Sequence, residues 1–374
     1  MNPQIKTIPE IYPGIEAEAV RVGADVYSLY PVVDAIAHEY EFGGGDHMAS
    51  SRTPLDWFYY QVGMHTFRAF AQGKATWILN YSWDGDKIVD RREAMMNLAM
   101  SQVMAGANFW DAPGHSMAGS NDPATRKKIF SWIKQNEKTF YLPRTPINPI
   151  GVYFSPQTRN FYAEEFLRSY RGIVLLLMQF HREFQIVTPR TLREFHGEAL
   201  VLPDVRILST DERALLEQYA GGGKKLIITG NNPLEADNQR IVRFSACPGK
   251  AYIASLEADF GHTTPQMQQA FLDSLPPSLG IEISASPDIA SSIASVNGEV
   301  HVFLANFAGL VAGKNPVQTP QTVTLRVPAR HAGSGYFLPF LGDIQRMEGV
   351  PKQGIVTFTL PPVAKGAVFW LQAD

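Results

Sequence analysis

Apolar positions along the chain switch between two periods, and the switches divide it into segments. In residues 1–144, short apolar runs alternate with stretches of helical spacing. Gly23–Tyr30 predicts a short buried strand, a helix follows over Trp57–Gln72, and Lys74–Asn80 predicts a second strand. An amphipathic helix over Asp90–Met104 leads to a third strand at Gly106–Asp111. A last helix covers Asp122–Tyr141, with Asn121 or Asp122 as N-cap and Pro123 at its first position. Strands alternating with helices of this length imply βαβ units and a parallel sheet. Three units fall short of the eight that close a (β/α) barrel, so the expectation is an open sheet or a barrel only partly contained in this chain.

Residues 145–262 repeat the alternation more cleanly. Pro149–Phe154, Phe184–Thr188, Glu198–Leu202, Lys225–Gly230 and Lys250–Ala254 predict strands, with helical spacing over Tyr170–Phe184 and Asp211–Tyr219. Ser209 or Thr210 caps the second helix, and Gly221-Gly222-Gly223 ends it where the backbone needs a positive φ. This is the pattern of a flavodoxin-like doubly wound domain. Residues 263–374 begin with a short helix, Pro265–Leu275, and then turn all-β. Strands are predicted at Ile281–Ser284, Ile293–Val296, Val300–Phe307, Val323–Val327, Tyr336–Phe340, Val356–Leu360 and Val368–Leu371, with Asn297-Gly298 as a two-residue hairpin turn. Short strands at turn-marked spacing predict a small antiparallel β-sandwich. The fold class is thus α/β: a partial (β/α) barrel over 1–144, a flavodoxin-like doubly wound domain over 145–262 and a β-sandwich over 263–374.

Composition changes this picture mainly by exclusion. With 374 residues, 45% hydrophobic and 18% charged, the chain is long and apolar enough for several packed domains and is not a disordered one. A net charge of −3 without a Lys/Arg cluster gives no footprint for nucleic acid. No run approaches the roughly 18 apolar residues of a membrane span. The stretch MNPQIKTIPEIYPGIEAEA has no apolar h-region and does not read as a signal peptide. The compartment stays open, with the cytoplasm favoured if Met1 is the start. The one cysteine, Cys247, excludes an internal disulfide and a Cys-rich zinc site. Asn80-Tyr81-Ser82 is a glycosylation sequon of the kind chance supplies.

Particular stretches carry a family resemblance. Leu200-Val201-Leu202-Pro203-Asp204-Val205, followed by Asp211–Tyr219 and the glycine turn into Leu226–Gly230, resembles the trimerisation domain of A4-type family 42 β-galactosidases, itself related to class I glutamine amidotransferases. Val300–Phe307, Leu360-Pro361-Pro362 and Gly366–Leu371 resemble the C-terminal sandwich of the same family. The resemblance implies a glycoside hydrolase-like protein, a β-galactoside or related saccharide as substrate, no cofactor, a homotrimer, and strands in residues 1–144 that stand about sixth to eighth in a barrel. It also implies a catalytic Glu at the end of the seventh strand. Here the matching stretch reads Trp77-Ile78-Leu79-Asn80-Tyr81-Ser82, without one, and the family's acid/base lies on a strand earlier than any in this chain. The expectation is a chain that is catalytically incomplete by itself.

Glycoside hydrolysis uses a pair of carboxylates flanking the sugar bond, and barrel enzymes place them at the carboxyl ends of strands. Glu39 and Asp111 are the catalytic candidates on that ground, the other reading for each being a loop salt bridge or a helix cap. His38, Asn80, Tyr81, Trp83 and His115 are candidate saccharide ligands, and Trp57 is a further ring suited to stacking on a pyranose. Asp84 and Asp86 flank Gly85 and spell a turn. Gly43-Gly44-Gly45 lacks the strand–helix setting of a phosphate loop. Amidotransferase chemistry needs a Cys on a strand-to-helix elbow. Asp204 stands where that nucleophile would be and Cys247 lies elsewhere, so the doubly wound domain reads as non-catalytic. The rival to a hydrolase is a non-catalytic saccharide-binding or assembly module.

Overall fold

The structure is a computed structural model that describes residues 5–11, 23–39, 53–80, 90–111, 122–147, 150–235, 239–260, 268–278, 280–311, 314–329 and 334–372. The chain forms two compact units. One holds Met1–Ile15, Tyr30–Thr145 and Gly280–Asp374; the other holds Glu16–Leu29 and Pro146–Leu279.

The first unit opens with a parallel sheet of β1 (Glu10–Ile11), β2 (Ala35–His38), β3 (Ala75–Asn80) and β4 (Asn108–Asp111), arranged in sequence order. Helix α1 (Pro54–Ala71) connects β2 to β3, and α2 (Arg91–Ala105) connects β3 to β4. Each begins as its sequence dictates. Thr53 and Asp56 form a reciprocal capping box ahead of α1, with Pro54 at its first position, and Asp90 caps α2 through the Glu93 N–H at 3.1 Å. Helix α2 stops at Gly106, whose φ of 82° a side chain disfavours. Its last carbonyls accept from two arginines, Arg68 to Ala105 O at 2.9 Å and Arg144 to Met104 O at 2.7 Å and Val103 O at 2.8 Å. Strands laid down in order with right-handed crossovers put both helices on one face. Next come α3 (Pro123–Gln135), capped by Asp122, and β5 (Arg144–Pro146), which joins another sheet.

The strand expected at Gly23–Tyr30 is a helical turn instead, Val26–Leu29 followed by a 3-10 turn at Tyr30–Val32; the strand itself is β2. Asp25 makes the difference. Its carboxylate accepts from the Tyr27 N–H at 3.1 Å and the Ser28 hydroxyl at 2.7 Å, and its carbonyl from the Leu29 N–H at 2.9 Å. A short apolar run does not by its period distinguish strand from helix, so a local cap decides.

In the second unit β6 (Ile150–Tyr153), β7 (Phe184–Val187), β8 (Ala199–Pro203), β9 (Lys225–Thr229) and β10 (Ile241–Phe244) form an all-parallel sheet ordered β10-β9-β8-β6-β7. Renumbered within the unit this is 2-1-3-4-5, a doubly wound order. Its longer helices are α4 (Ala163–Gln179), α5 (Thr210–Gly221) and α6 (Pro248–Ala258), with short ones at Pro156–Phe161 and Gln269–Ser274. Ser209 is the cap of α5, again in a capping box, with Glu212, and Gly223 takes the expected positive φ of 83°. The strand expected at Lys250–Ala254 is part of α6, whose first position is Pro248; the fifth strand is β10. Gly249 packs its backbone directly against α4, a closeness that helices achieve through glycine.

The remaining strands return to the first unit: β11 (Glu282–Ser284), β12 (Ile289–Val296), β13 (Glu299–Asn306), β14 (Thr324–Pro328), β15 (Ser334–Pro339), β16 (Gln345–Met347), β17 (Val350–Lys352), β18 (Ile355–Thr359) and β19 (Gly366–Gln372). They form sheets ordered β11-β14-β18-β17 and β16-β15-β19-β13-β12-β5. Asn297 and Gly298, at φ 52° and 85°, turn β12 into β13 as expected. Phe358 of one sheet meets Phe369 of the other with centroids 5.0 Å apart. Helix α2 packs on the six-stranded sheet, where Lys365 Nζ reaches Asn97 Oδ1 and Gln318 Oε1, each at 2.8 Å. Among the described residues no helix is long and apolar enough to cross a membrane.

Candidate functional site

In a parallel sheet every carboxyl strand end points the same way, and here the pairing register aligns four of them. Ile11, His38 and Ile78 form one row, and Asn80 and Asp111 close β3 and β4 as partners two residues further on. The ladder continues past β2, since the Glu39 N–H donates to Ile11 O at 2.9 Å. Glu39, Asn80 and Asp111, which the sequence placed on separate loops, therefore share one edge of the sheet. Tyr81, Trp83 and His115 lie outside the described residues.

Row-mates on neighbouring strands face the same side, and successive residues alternate. His38 identifies the helix side: its ring stacks on Phe67 of α1 at 3.7 Å, its Nε2 lies 2.6 Å from the Tyr30 hydroxyl, and it is 2% exposed. Burial pushes its pKa down to about 3, so the ring is neutral. His38 therefore braces the strand end from behind, and the enclosed ring offers no face to a saccharide. Trp57 is likewise core, 1% exposed and stacked on Phe307 at 5.7 Å. Aromatic size alone could not separate a platform from a core ring.

The other face is different. Trp77 on β3 and Trp110 on β4 both project there, half-buried, with centroids 6.4 Å apart and planes inclined at 59°. Between them Asn108 fixes the strands, its Oδ1 accepting the Thr76 N–H at 2.9 Å. Glu39, one residue beyond the helix-facing His38, falls by alternation on this tryptophan face and is half-buried. Neither Trp77 nor Trp110 is among the ligand candidates that the sequence offers. The signal that could have found them is the apolar alternation of Ala75–Asn80 and Asn108–Asp111: once one register is helix-facing, the tryptophans must be on the other. A carboxylate on the same sheet face as two inclined indoles suits the hydroxyls and the apolar C–H side of a sugar. Among the described residues no group of three or more His, Cys, Asp or Glu is arranged to hold a metal ion.

A second strand edge carries Asp204, directly after β8 at φ 51°. Its carboxylate is 1% exposed and accepts from Arg206 Nη2 at 3.0 Å and the Asn231 N–H at 3.0 Å, with Lys250 Nζ at 3.7 Å. Cys247 precedes α6, and burial raises its thiol above the ordinary value. The elbow position is thus filled by a carboxylate fully engaged in ion pairs and hydrogen bonds.

No protein-family model and no curated protein sequence matches this chain. Solved structures do. The α-L-fucosidase isoenzyme 2 of Paenibacillus thiaminolyticus aligns with a TM-score of 0.66 at 10% identity, over 96% of this chain and 67% of that one. The GH42 β-galactosidase Gan42B of G. stearothermophilus aligns at 0.62 and 9% identity, over 99% and 64%. The β-galactosidase of Bacillus circulans sp. alkalophilus aligns at 0.61 and 8% identity, over 99% and 64%. The chain spans about two-thirds of the length of each of these structures. At such identities the likeness is one of fold: the chain has a glycoside hydrolase-like, mixed α/β fold.

Proposed function

We propose that this chain is a saccharide-acting portion of a glycoside hydrolase of the family 42 type. In this reading β1 to β4 are part of a (β/α) barrel, the doubly wound unit is a trimerisation domain of glutamine amidotransferase ancestry, and the last strands are the C-terminal sandwich. The saccharide, a β-galactoside or a relative, lies across the carboxyl edge of β2, β3 and β4. The observation that carries this is Glu39 at the carboxyl edge of β2 on the face that bears Trp77 and Trp110, with Asn80 and Asp111 closing the neighbouring strands in the opposite, helix-side register. In hydrolysis Glu39 is one carboxylate of the pair, and Asp111, the last residue of β4 and in the helix-side register, is the other only if it reaches over the strand end. Trp77 and Trp110 hold the ring, with Trp83 as a further stacking ring, while Asn80, Tyr81 and His115 serve the hydroxyls. His38 keeps the end of β2 in place from the helix side.

A second reading is favoured by one observation: β3 ends in Asn80, a residue that can hydrogen-bond a hydroxyl but cannot serve as a nucleophile. In that case the edge binds saccharide without cleaving it. Binding of galactose and lactose, with hydrolysis of an aryl β-galactoside measured alongside, separates the two in the wild type and in Glu39→Gln. The hydrolase reading expects turnover that Glu39→Gln abolishes; the binding reading expects saturable binding and no turnover. Absence of both sinks the site. The homotrimer that the doubly wound unit implies is tested by the mass from light scattering, and a monodisperse monomer refutes it.

A further inference from the structure

The doubly wound sheet reverses its strand order between β6 and β8. Open α/β sheets take their ligands outside the carboxyl strand ends beside such a reversal. Here that edge is occupied by residues of the same unit, the turn around Val26–Leu29. Arg159, six residues beyond the end of β6 and 1% exposed, donates from Nη2 to Asp25 Oδ1 at 2.9 Å. The loop after β7 contributes Arg190, whose guanidinium lies 3.8 Å over the Tyr27 ring and donates to the Tyr27 carbonyl at 2.8 Å. The Tyr27 phenol meets the Thr188 hydroxyl and the Arg190 backbone N–H.

A segment that merely crosses a sheet edge is satisfied by backbone hydrogen bonds and solvent. This one receives a guanidinium on its carboxylate, a second guanidinium on the face of its aromatic ring, and a hydroxyl at its phenol. Those are the pairings with which a protein recognises a small aromatic molecule carrying an anionic group. The cost of enclosing Arg159 is met by Asp25, which also folds the turn that presents Tyr27. The recognising groups come from the short helix Pro156–Phe161 after β6 and the loop after β7, which are separated in sequence and brought together only by the sheet.

We infer that Asp25 and Tyr27 act as a ligand in cis, filling a site for a phenol or aryl carboxylate formed by Arg159, Thr188 and Arg190 on the doubly wound unit. All residues of this site belong to the doubly wound unit, and those of the saccharide edge to the other.

The test uses the whole chain with Tyr27→Ala, Tyr27→Phe and wild type, and phenol as probe. Tyr27→Ala vacates the ring position, and phenol is expected to raise its thermal midpoint and to bind it at least roughly tenfold more tightly than wild type. Tyr27→Phe, which keeps the ring, is expected to bind phenol as weakly as wild type. Equal phenol effects on wild type and Tyr27→Ala overturn the inference, and so does a folded Tyr27→Ala that phenol leaves unchanged. Should Tyr27→Ala not fold, wild-type amide exchange decides. The Tyr27 and Leu29 N–H groups, both bonded to Asp25, are expected to exchange as slowly as those of β6, and exchange at the rate of a free peptide overturns the assignment.

Discussion

Gly172 and Gly249 meet where α4 crosses α6, and at this contact two physical effects have opposite signs. A Cβ placed on Gly172 falls 2.0 Å from Gly249 O and 2.6 Å from its Cα; one placed on Gly249 falls 2.1 Å from Ser169 O. These are backbone atoms, so no rotamer change relieves the overlap. Both glycines lie within helices, where alanine is intrinsically favoured by about 1 kcal/mol. Against that, overpacking a tight core costs about 1–3 kcal/mol, and a 2.0 Å approach to backbone belongs at the upper end. The helices must part, loosening Tyr170, Ile173 and Leu176, each fully buried on α4. Gly172→Ala is therefore expected to destabilise by about 1–2 kcal/mol net. Gly221→Ala is the control: it lies in the last turn of α5 with nothing within 4 Å of a new Cβ, and should gain about 0.5 kcal/mol. All six tryptophans lie outside residues 146–279, so in a urea titration tryptophan fluorescence follows the other unit, and a shift of the far-UV circular dichroism transition without a matching tryptophan shift belongs to this one. A Gly172→Ala variant as stable as wild type, with the Gly221→Ala gain intact, refutes the close crossing.

Three further outcomes are expected. Burial works to raise the Asp25 carboxyl, but the Arg159 charge and hydrogen bonds from Ser28, Arg159 and the Tyr27 N–H outweigh it and hold the group below its ordinary value of 3.8. The stability it contributes is thus complete above that value and lost as pH falls through the lower folded one. Asp25→Ala strands the enclosed Arg159 and should cost about 3 kcal/mol at neutral pH, a gap that closes on acidification below the ordinary value; a gap independent of pH argues against the ion pair. His38, held neutral down to about 3 by burial, takes up its proton only on unfolding once pH drops below its ordinary 6.5. Stability therefore falls by about 1.4 kcal/mol per pH unit on its account across that interval, and His38→Gln should flatten the measured slope by that amount. Trp77→Ala and Trp110→Ala should each weaken saccharide binding about tenfold, or about 1.4 kcal/mol, in a titration read by calorimetry; wild-type affinity in both removes the tryptophan face from the site.

Much of the local structure was legible because it is written in short-range chemistry. Thr53 with Asp56, Ser209 with Glu212, and Asp122 before Pro123 cap helices through residues three apart or fewer, and Asn297-Gly298 turns a hairpin by backbone preference alone. The two misread strands, Gly23–Tyr30 and Lys250–Ala254, are short apolar runs whose period fits either element. Five edge strands, β1, β5, β10, β16 and β17, carry no such run for the opposite reason. Their residues are half-buried or exposed, so none has the buried apolar pattern that marks a central strand.

By itself the sequence determined the helix starts at Asp122 and Ser209 and the stop at Gly221–Gly223, that one stretch alternates strand with helix and another is all strand, and that carboxylates follow strands. Those follow from interactions within a few residues and from a period visible along the chain. The tertiary structure alone decided that Glu39, Asn80 and Asp111 share an edge, that His38 and Trp57 face inward while Trp77 and Trp110 face out, and that Asp25 and Tyr27 sit on Arg159 and Arg190. Each of those depends on strand register or on contacts between residues more than thirty apart, and pairing distant segments is a property of the packed sheet that no local pattern encodes.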